Sequence, residues 1–388
     1  MGLRAGEKYR AQPIALHLMA SLRASGMERM FVSSAESWNA SGWQTVIAGQ
    51  GDEHPFATEL RGAGLTVVEI PEVRTFSGAT SWVRLLRTIR PDVVHIHPES
   101  MHGPIALLTM FFAHRARVIR TVHSHFRFTG RRRFTRSLQD IMFLLANGTT
   151  VSPSTDVQSN ELLYWGCQTS VIENWVAQDF LQDSAQQHPS DRDVLRLALI
   201  GNCSYIKNHQ LVLQAALEIP GYEVTHVGSH VNAPVEELSL VQRLEASQSI
   251  QMLGTRIDVA QILAGVDVIA LPSKVEGMPV SLAEALCLGI PALIADSPGM
   301  TWAHDLPGVC VVRDERWSDA LSAFRREPAA FLALQHAARV GADNARSRFT
   351  PERGVNEYIA IYARPPRGRL RSLLDYSSAT VGRWFLRP

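Results

Sequence analysis

Two carboxylates eight residues apart, Glu276 and Glu284, mark the stretch of this chain best suited to chemistry. They lie in Ala270–Ala295, ALPSKVEGMPVSLAEALCLGIPALIA. The apolar run ending at Leu271 reads as a buried strand and Lys274–Met278 as a tight turn. Pro279 fits the first turn of a helix, where its missing N–H costs nothing. That helix is expected over Val280–Leu288, stopping at Gly289. Its unpaired N–H groups and its dipole would form an anion site facing a cleft. Glu276 precedes the helix and Glu284 sits more than one turn inside it, so the two act at different depths of one pocket. A plainer reading of the same residues has Glu276 capping the helix and Glu284 solvated.

These residues need a frame, and the rest of the chain supplies one. Short β-branched runs alternate with helical stretches. They fall at Ile14–Met19, Thr45–Gly49, Thr66–Ile70, Asp92–His97, Val118–His123, Thr149–Ser152 and Ser170–Glu173 in the first half. The second half has Leu195–Gly201, Glu223–Val227, Ile250–Leu253, Asp267–Leu271, Pro291–Ala295 and Val309–Val312. Several are apolar throughout, as parallel strands covered by helices on both faces must be. Between them, Met27, Met30, Phe31, Ser34, Ala35 and Trp38 keep the spacing of one helix face. The alternation predicts a doubly wound α/β fold. It weakens at Ala177–Asp193, which is polar and aperiodic. The 388 residues therefore divide into a first domain over 1–180, a linker over 181–193 and a second domain over 194–350. Residues 351–388 form a C-terminal helix and a basic tail. Two open sheets facing each other put their strand ends, and any ligand, in the cleft between them.

The strand, E-G turn and Glu276 to Glu284 spacing closing on Ala285 resemble the hallmark of the family 4 retaining glycosyltransferases, which have the two-domain GT-B fold. Gly289-Ile290-Pro291 and Asp296 continue the likeness. SGMER (Ser25–Arg29) resembles the family's glycine loop near the donor phosphates or acceptor, with Gly26 at its centre and Ser25 in place of the first glycine. VIENWV (Val171–Val176) resembles a further family strand end, with Trp175 where a glycine is usual. IGNCSYIKNHQLVLQA (Ile200–Ala215) resembles the segment that carries the phosphate-binding lysine, here Lys207, and Asn202 stands where the family has an arginine. LGTRIDV (Leu253–Val259) matches the loop lining the base and contains Arg256, which, like Lys274 or an arginine of the first domain, is a cation able to compensate.

The resemblance implies specific roles. Glu284 would hold the ribose hydroxyls. Glu276 and the amides of Gly277, Met278, Pro279 and Val280 would surround the donor sugar, proline contributing no N–H. Val280, Ser281 and Leu282 at the helix start, with Lys207, would hold the diphosphate. His123 would face the transferred sugar from the first domain. No metal or other cofactor is expected, and the nucleotide-sugar is a co-substrate. The implied reaction moves a sugar, with retention, from a nucleotide-sugar, UDP-linked in the simplest case, to a glycan or lipid-linked acceptor in bacterial cell-surface polysaccharide or glycolipid synthesis. The alternative is a non-catalytic GT-B subunit that binds a partner glycosyltransferase or a glycan, a reading motivated by Asn202, Ser25 and Trp175. An epimerase or phosphorylase on the same fold fits the motifs less well.

Composition narrows the partners. Lys+Arg and Asp+Glu are 38 and 37, so no net field points to nucleic acid. Four separated cysteines without a C-x-x-C pair exclude a disulfide scaffold or zinc ribbon and fit a reducing cytosol. His95/His97 and His123/His125 place imidazoles in pairs on strand faces but lack an evident acidic or cysteine partner, so they are set aside as a metal site. Asp191-Arg192-Asp193 is a metal-type D-x-D, but it precedes a strand instead of following one. The start MGLRAGEKYRAQP has no apolar signal core, and the longest apolar run, Pro104–Ala113, is about half what a membrane-spanning helix needs. A cytoplasmic protein is expected. Arg115 to Arg136 holds eight arginines and no acid, interleaved with Phe126, Phe128 and Phe134. That run and the tail, with its six arginines, suit peripheral attachment to an anionic membrane surface.

Overall fold

The computed structural model describes residues 12–182, 194–313 and 315–364. Each run expected to be a strand is one, with ends moved by at most two residues. The first domain holds β1 (Ile14–Met19), β2 (Gln44–Gln50), β3 (Thr66–Ile70), β4 (Val93–Ile96), β5 (Arg117–Thr121), β6 (Thr149–Ser152) and β7 (Thr169–Val171). The second holds β8 (Leu195–Ile200), β9 (Tyr222–Val227), β10 (Ile250–Met252), β11 (Val268–Leu271), β12 (Ala292–Ala295) and β13 (Val309–Val312).

Their orders are β3-β2-β1-β4-β5-β6-β7 and β10-β9-β8-β11-β12-β13. Every pairing is parallel. Both sheets therefore reverse direction of growth at their centre, between β1 and β4 and between β8 and β11. The crevice at such a reversal is where an open α/β sheet accepts a ligand. Central strands are buried on both faces: Leu16, Leu18, Ile269 and Ala270 are all inaccessible. Parallel strands sandwiched between helix layers require this. The chain thus has two Rossmann-like α/β domains, and residues from both meet across a cleft.

The expected helix over Met27–Trp38 is two helices, Gly26–Ser33 and Ala35–Ala40. At the break, the Ser34 hydroxyl donates to the Met30 carbonyl at 2.6 Å, a back-bond that bends helices. The C-terminal helix Pro351–Ala363 leaves the second domain and packs on the first. Its Val355, Tyr358, Ile361 and Tyr362 share a core with Ala15, Trp38, Val93 and Ile119. Trp175 closes this seam. Its indole N–H donates to Met30 O at 3.1 Å, and Gly354 is small because a Cβ there would lie 2.0 Å from the indole ring. The bulky residue in a glycine position is therefore matched by a glycine on the helix it meets. Most of the expected linker, and the tail beyond residue 364, lie outside the described residues.

Candidate functional site

The second domain contributes the two loops flanking its central reversal. After β8, Gly201 turns the chain with φ +134 and lets the Lys207 side chain lie against it; a Cβ would sit 3.1 Å from Lys207 Cε. After β11, the Glu276–Pro279 turn is pinned by Glu276 N–H donating to Pro298 O at 2.9 Å. The two loops meet in an ion pair, Lys207 Nζ to Glu276 Oε1 at 2.7 Å. Both side chains are largely buried, so this pair is screened less than a surface one.

Gly277 is the closest approach between the domains. A Cβ there would lie 1.9 Å from the carbonyl oxygen of His123, so any other residue would push the walls apart. First-domain side chains grip the same turn: Ser154 Oγ donates to Gly277 O at 2.7 Å and Asn174 Nδ2 to Met278 O at 2.8 Å. Asp156 adds a third grip, accepting from the N–H groups of Gly299 and Thr301 at 3.0 Å each.

The helix after the turn runs Val280–Cys287, with Pro279 as its N-cap instead of its first helical residue. No side chain caps it, so the Val280 and Ser281 N–H groups are open to a ligand, whereas the expected Leu282 N–H already donates to Pro279 O at 3.2 Å. Gly289, at φ +70, ends the turn that follows it. Opposite stands the start of the Gly26–Ser33 helix; a Cβ on Gly26 would be 3.7 Å from Val280. Two helix N-termini thus face each other across the cleft, an arrangement suited to an anion. Met278 and Leu282 have buried side chains, which leaves only their backbone for contacts there.

Glu284 sits in this helix, and burial pushes its carboxyl up to about 7, with Arg29 acting in the opposite sense. Arg29 also donates to the Arg256 carbonyl at 2.6 Å, tying the domains together. The Arg256 guanidinium itself is forked onto Asp258 at 2.8 and 2.6 Å. Asn202 is occupied as well: its Oδ1 accepts from Ser229 N–H at 2.8 Å and holds the loop after β9.

On the first-domain wall, His123 follows β5, and burial holds its imidazole down at about 4. Behind it runs a hydrogen-bonded chain. His123 Nε2 lies 3.1 Å from His97 Nδ1, His97 Nε2 is 3.1 Å from His17 Nδ1, and His95 bridges Tyr362 at 2.7 Å and Thr121 at 2.8 Å. Reading the sequence missed Arg29, Ser154, Asp156 and Asn174 as individual site residues. Arg29 and Asn174 lie within segments that carry the family likeness, whereas Ser154 and Asp156 have no motif to announce them.

Two family models match, one per domain. "Glycosyltransferase Family 4" covers residues 24–180 and "Glycosyl transferases group 1" covers 194–325, together most of the chain. The chain belongs to the family 4, group 1 glycosyltransferases. EpsF of Bacillus subtilis (strain 168), named as a glycosyltransferase, is 22% identical over 74% of this chain and 80% of its own length. A glycosyltransferase from Rickettsia africae has the same fold at TM-score 0.75, with 17% identity over 91% of this chain and 98% of that one. HepE of Anabaena, in complex with UDP and glucose, matches at TM-score 0.73 and 16% identity, over 90% of this chain and 100% of that one. The fold of this glycosyltransferase is therefore GT-B, with the cleft described above between its two domains.

Proposed function

We propose that this glycosyltransferase transfers a sugar from a UDP-linked donor, with retention and without a catalytic metal, to a glycan or lipid-linked acceptor of the bacterial cell surface. The observation that carries this reading is the pocket where Lys207, the open start of the Val280–Cys287 helix and the Gly26 helix start converge. In transfer, the bond from the anomeric carbon to the diphosphate breaks, and a bond to the acceptor oxygen forms on the same face. The acceptor proton passes to the leaving phosphate. The protein's share is to place both reactants and to offset the charge developing on the diphosphate. Lys207 and the helix amides of Val280 and Ser281 do the latter. Arg29 supplies the second cation that Asn202 does not. Glu276 and Gly277 border the sugar, His123 faces it as a neutral imidazole, and Glu284 accepts from the ribose hydroxyls. A UDP-linked donor is supported by the HepE complex with UDP and glucose.

Calorimetry with UDP tests this directly. Glu284→Ala should weaken binding by about 10- to 100-fold, the worth of two hydrogen bonds to a charged group reduced by partial solvation. Wild-type binding should also weaken below pH 7, as Glu284 takes up a proton. A folded wild-type protein that binds none of UDP, GDP, ADP or TDP would favour the non-catalytic subunit, with Asn202 as the reason.

Membrane attachment is part of the proposal, but on a narrower face than the arginine run. Arg120 and Arg136 are buried against Glu99, Asp140 and Glu161. Arg117 donates to the carbonyls of Ile361 and Tyr362 at 2.6 Å each. Helix Gly130–Leu145 instead exposes Phe134, Leu138, Ile141 and Leu145, a single stripe, with Arg131 and Arg132 exposed at its start. Phe111 and Phe112 of the packed neighbouring helix His102–Phe112 are exposed too. Among the described residues no helix is long and apolar enough to cross a membrane. An amphipathic face of this kind lies in the interface plane on the cytoplasmic side. Co-sedimentation with phosphatidylglycerol vesicles should drop at least about threefold in Phe134→Asp/Leu138→Asp. Equal sedimentation of variant and wild type would retire the face.

A further inference from the structure

Under the Lys207 loop lies a second cluster that the transfer reaction does not use. Cys203 is in the loop after β8, His209 immediately precedes helix Gln210–Glu218, His226 is in β9, and Glu237 is in the first turn of helix Val235–Ala246. All four are buried, with exposures of 3%, 1%, 2% and 0%. The ligating atoms of Cys203, His209 and His226 lie within 4.8 Å of one another. Cys203 Sγ is 3.4 Å from His226 Nε2, and His209 Nδ1 is 3.7 Å from Glu237 Oε1. We propose that these four side chains form a structural Zn2+ site.

Three observations converge. The first is unmet polarity. His209 Nδ1 and both carboxylate oxygens of Glu237 are buried with no partner at full hydrogen-bond distance, Glu237 having only His209 and Cys203 beside it, while His226 turns Nε2 to Cys203. A carboxylate removed from water in that state is costly unless a cation meets it. The His209–Glu237 separation is too long for a hydrogen bond to discharge the debt. The second is ligand type: thiolate, imidazole and carboxylate together suit Zn2+ better than Mg2+ or Ca2+, which take oxygen ligands. The third is spacing. A tetrahedral Zn2+ with Zn–S near ~2.3 Å and Zn–N near ~2.0 Å sets ligand-to-ligand edges of roughly 3.3–3.6 Å. The Cys203–His226 separation lies inside that range and the His209–Glu237 separation just above it. Binding replaces the Cys203 thiol proton, which leaves to solvent, and the imidazoles bind neutral.

The first domain offers a useful control. His17, His95 and His97 also gather within 4.8 Å, yet each of their ring nitrogens has a hydrogen-bond partner. Nothing there is left for an ion.

The consequence is positional. A bound ion would tie the Cys203–His209 loop to β9 and to the Val235–Ala246 helix, and Lys207 is in that loop. The ion takes no part in transfer; it fixes the cation that pairs with Glu276.

The test uses the full chain, purified without chelator. Elemental analysis should find about one zinc per chain. After chelation, titration with Co2+ should give a thiolate-to-cobalt charge-transfer band and intense tetrahedral visible bands. Cys203→Ser should abolish the charge-transfer band, and Glu237→Gln should weaken Co2+ affinity at least about tenfold. Stripping zinc should lower Tm by about 5 °C or more, and zinc addition should restore it. If Cys203→Ser does not fold, the wild-type cobalt spectrum and Glu237→Gln still decide. A folded wild-type chain that lacks zinc as purified and gives no charge-transfer band at stoichiometric Co2+ overturns the site. So does a Cys203→Ser protein with an unchanged spectrum. UDP binding measured on the same samples is a separate readout, so failure of the metal site and failure of the transfer reading can be told apart.

Discussion

Both domains carry a buried cluster of imidazoles behind the cleft, and the clusters differ in how their nitrogens are spent. In the first domain, His123, His97, His17, Tyr362, His95 and Thr121 pass hydrogen bonds from one to the next, and rings stack closely, His95 on His97 at 4.2 Å. In the second, His209 Nδ1 and the Glu237 carboxylate stand 3.7 Å apart, outside hydrogen-bond distance, beside the Cys203 thiol. Histidines are common to both, but hydroxyls accompany them in the first and a thiol and a carboxylate in the second. What separates a packed polar core from an ion site is whether each donor and acceptor already has a protein partner. The first cluster also joins four distant pieces of chain, since β1, β4 and β5 each supply members, Tyr362 comes from the C-terminal helix and Tyr358 reaches Thr121 at 3.1 Å. It therefore stabilises the docking of that helix without any cofactor.

Acid is the strongest way to break the contrast. A neutral hydrogen-bonded chain cannot accept protons, and burial holds His17 at about 3 and His123 at about 4, against 6.5 for a free imidazole. His95 and His97 are lowered as well, burial first and neighbouring imidazoles second. Below pH 6.5 the unfolded chain binds protons that the folded one refuses, so stability present above that pH is lost as pH falls through the folded values. Glu161 and Glu284 act in the opposite sense. Burial raises both to about 7, so each contributes stability at low pH that is lost as pH rises from 4.5 through 7. His102, His125 and His226 are lowered too, so imidazoles outnumber the raised carboxylates and a net loss of stability is expected between pH 7 and pH 4. Denaturant unfolding at pH 7, 6, 5 and 4 measures it, and the comparison is sharpened by repeating it on chelator-treated protein. The same fall without metal shows that it does not depend on the ion. A flat profile would mean that the imidazoles are not held neutral.

The frame was far more legible in the sequence than the contacts hung on it. Apolar runs such as Val268–Leu271 can only be two-sided strands, and alternation with helices then leaves little choice of topology. Glu276 and Gly277 are legible because strand, turn and helix start follow one another locally, and Lys207, 69 positions away, because its own segment carries a family likeness. What escaped was long-range. Nothing local joins Cys203 to Glu237, or His95 to Tyr362, which are 267 positions apart. The arginine run is only partly free for the same reason: Glu99 before it and Asp140 and Glu161 after it bury part of its charge. The break at Ser34 was invisible to periodicity, because a back-bond bends a helix without changing which residues are apolar.

Removing one link of the first-domain chain is the smaller but more local test. His97 touches two neighbours at once, and His97→Ala leaves a nitrogen of His17 and a nitrogen of His123 without their partner, along with a cavity where a stacked ring was. The expected cost is about 2–4 kcal/mol, from the lost packing and the desolvated nitrogens together. Zinc content should not change, because the ions would sit in the other domain. The mutation should also free His123 from its fixed ring orientation, so turnover should fall more than UDP affinity does. If His97→Ala instead costs zinc and leaves stability intact, the two clusters have been assigned the wrong way round.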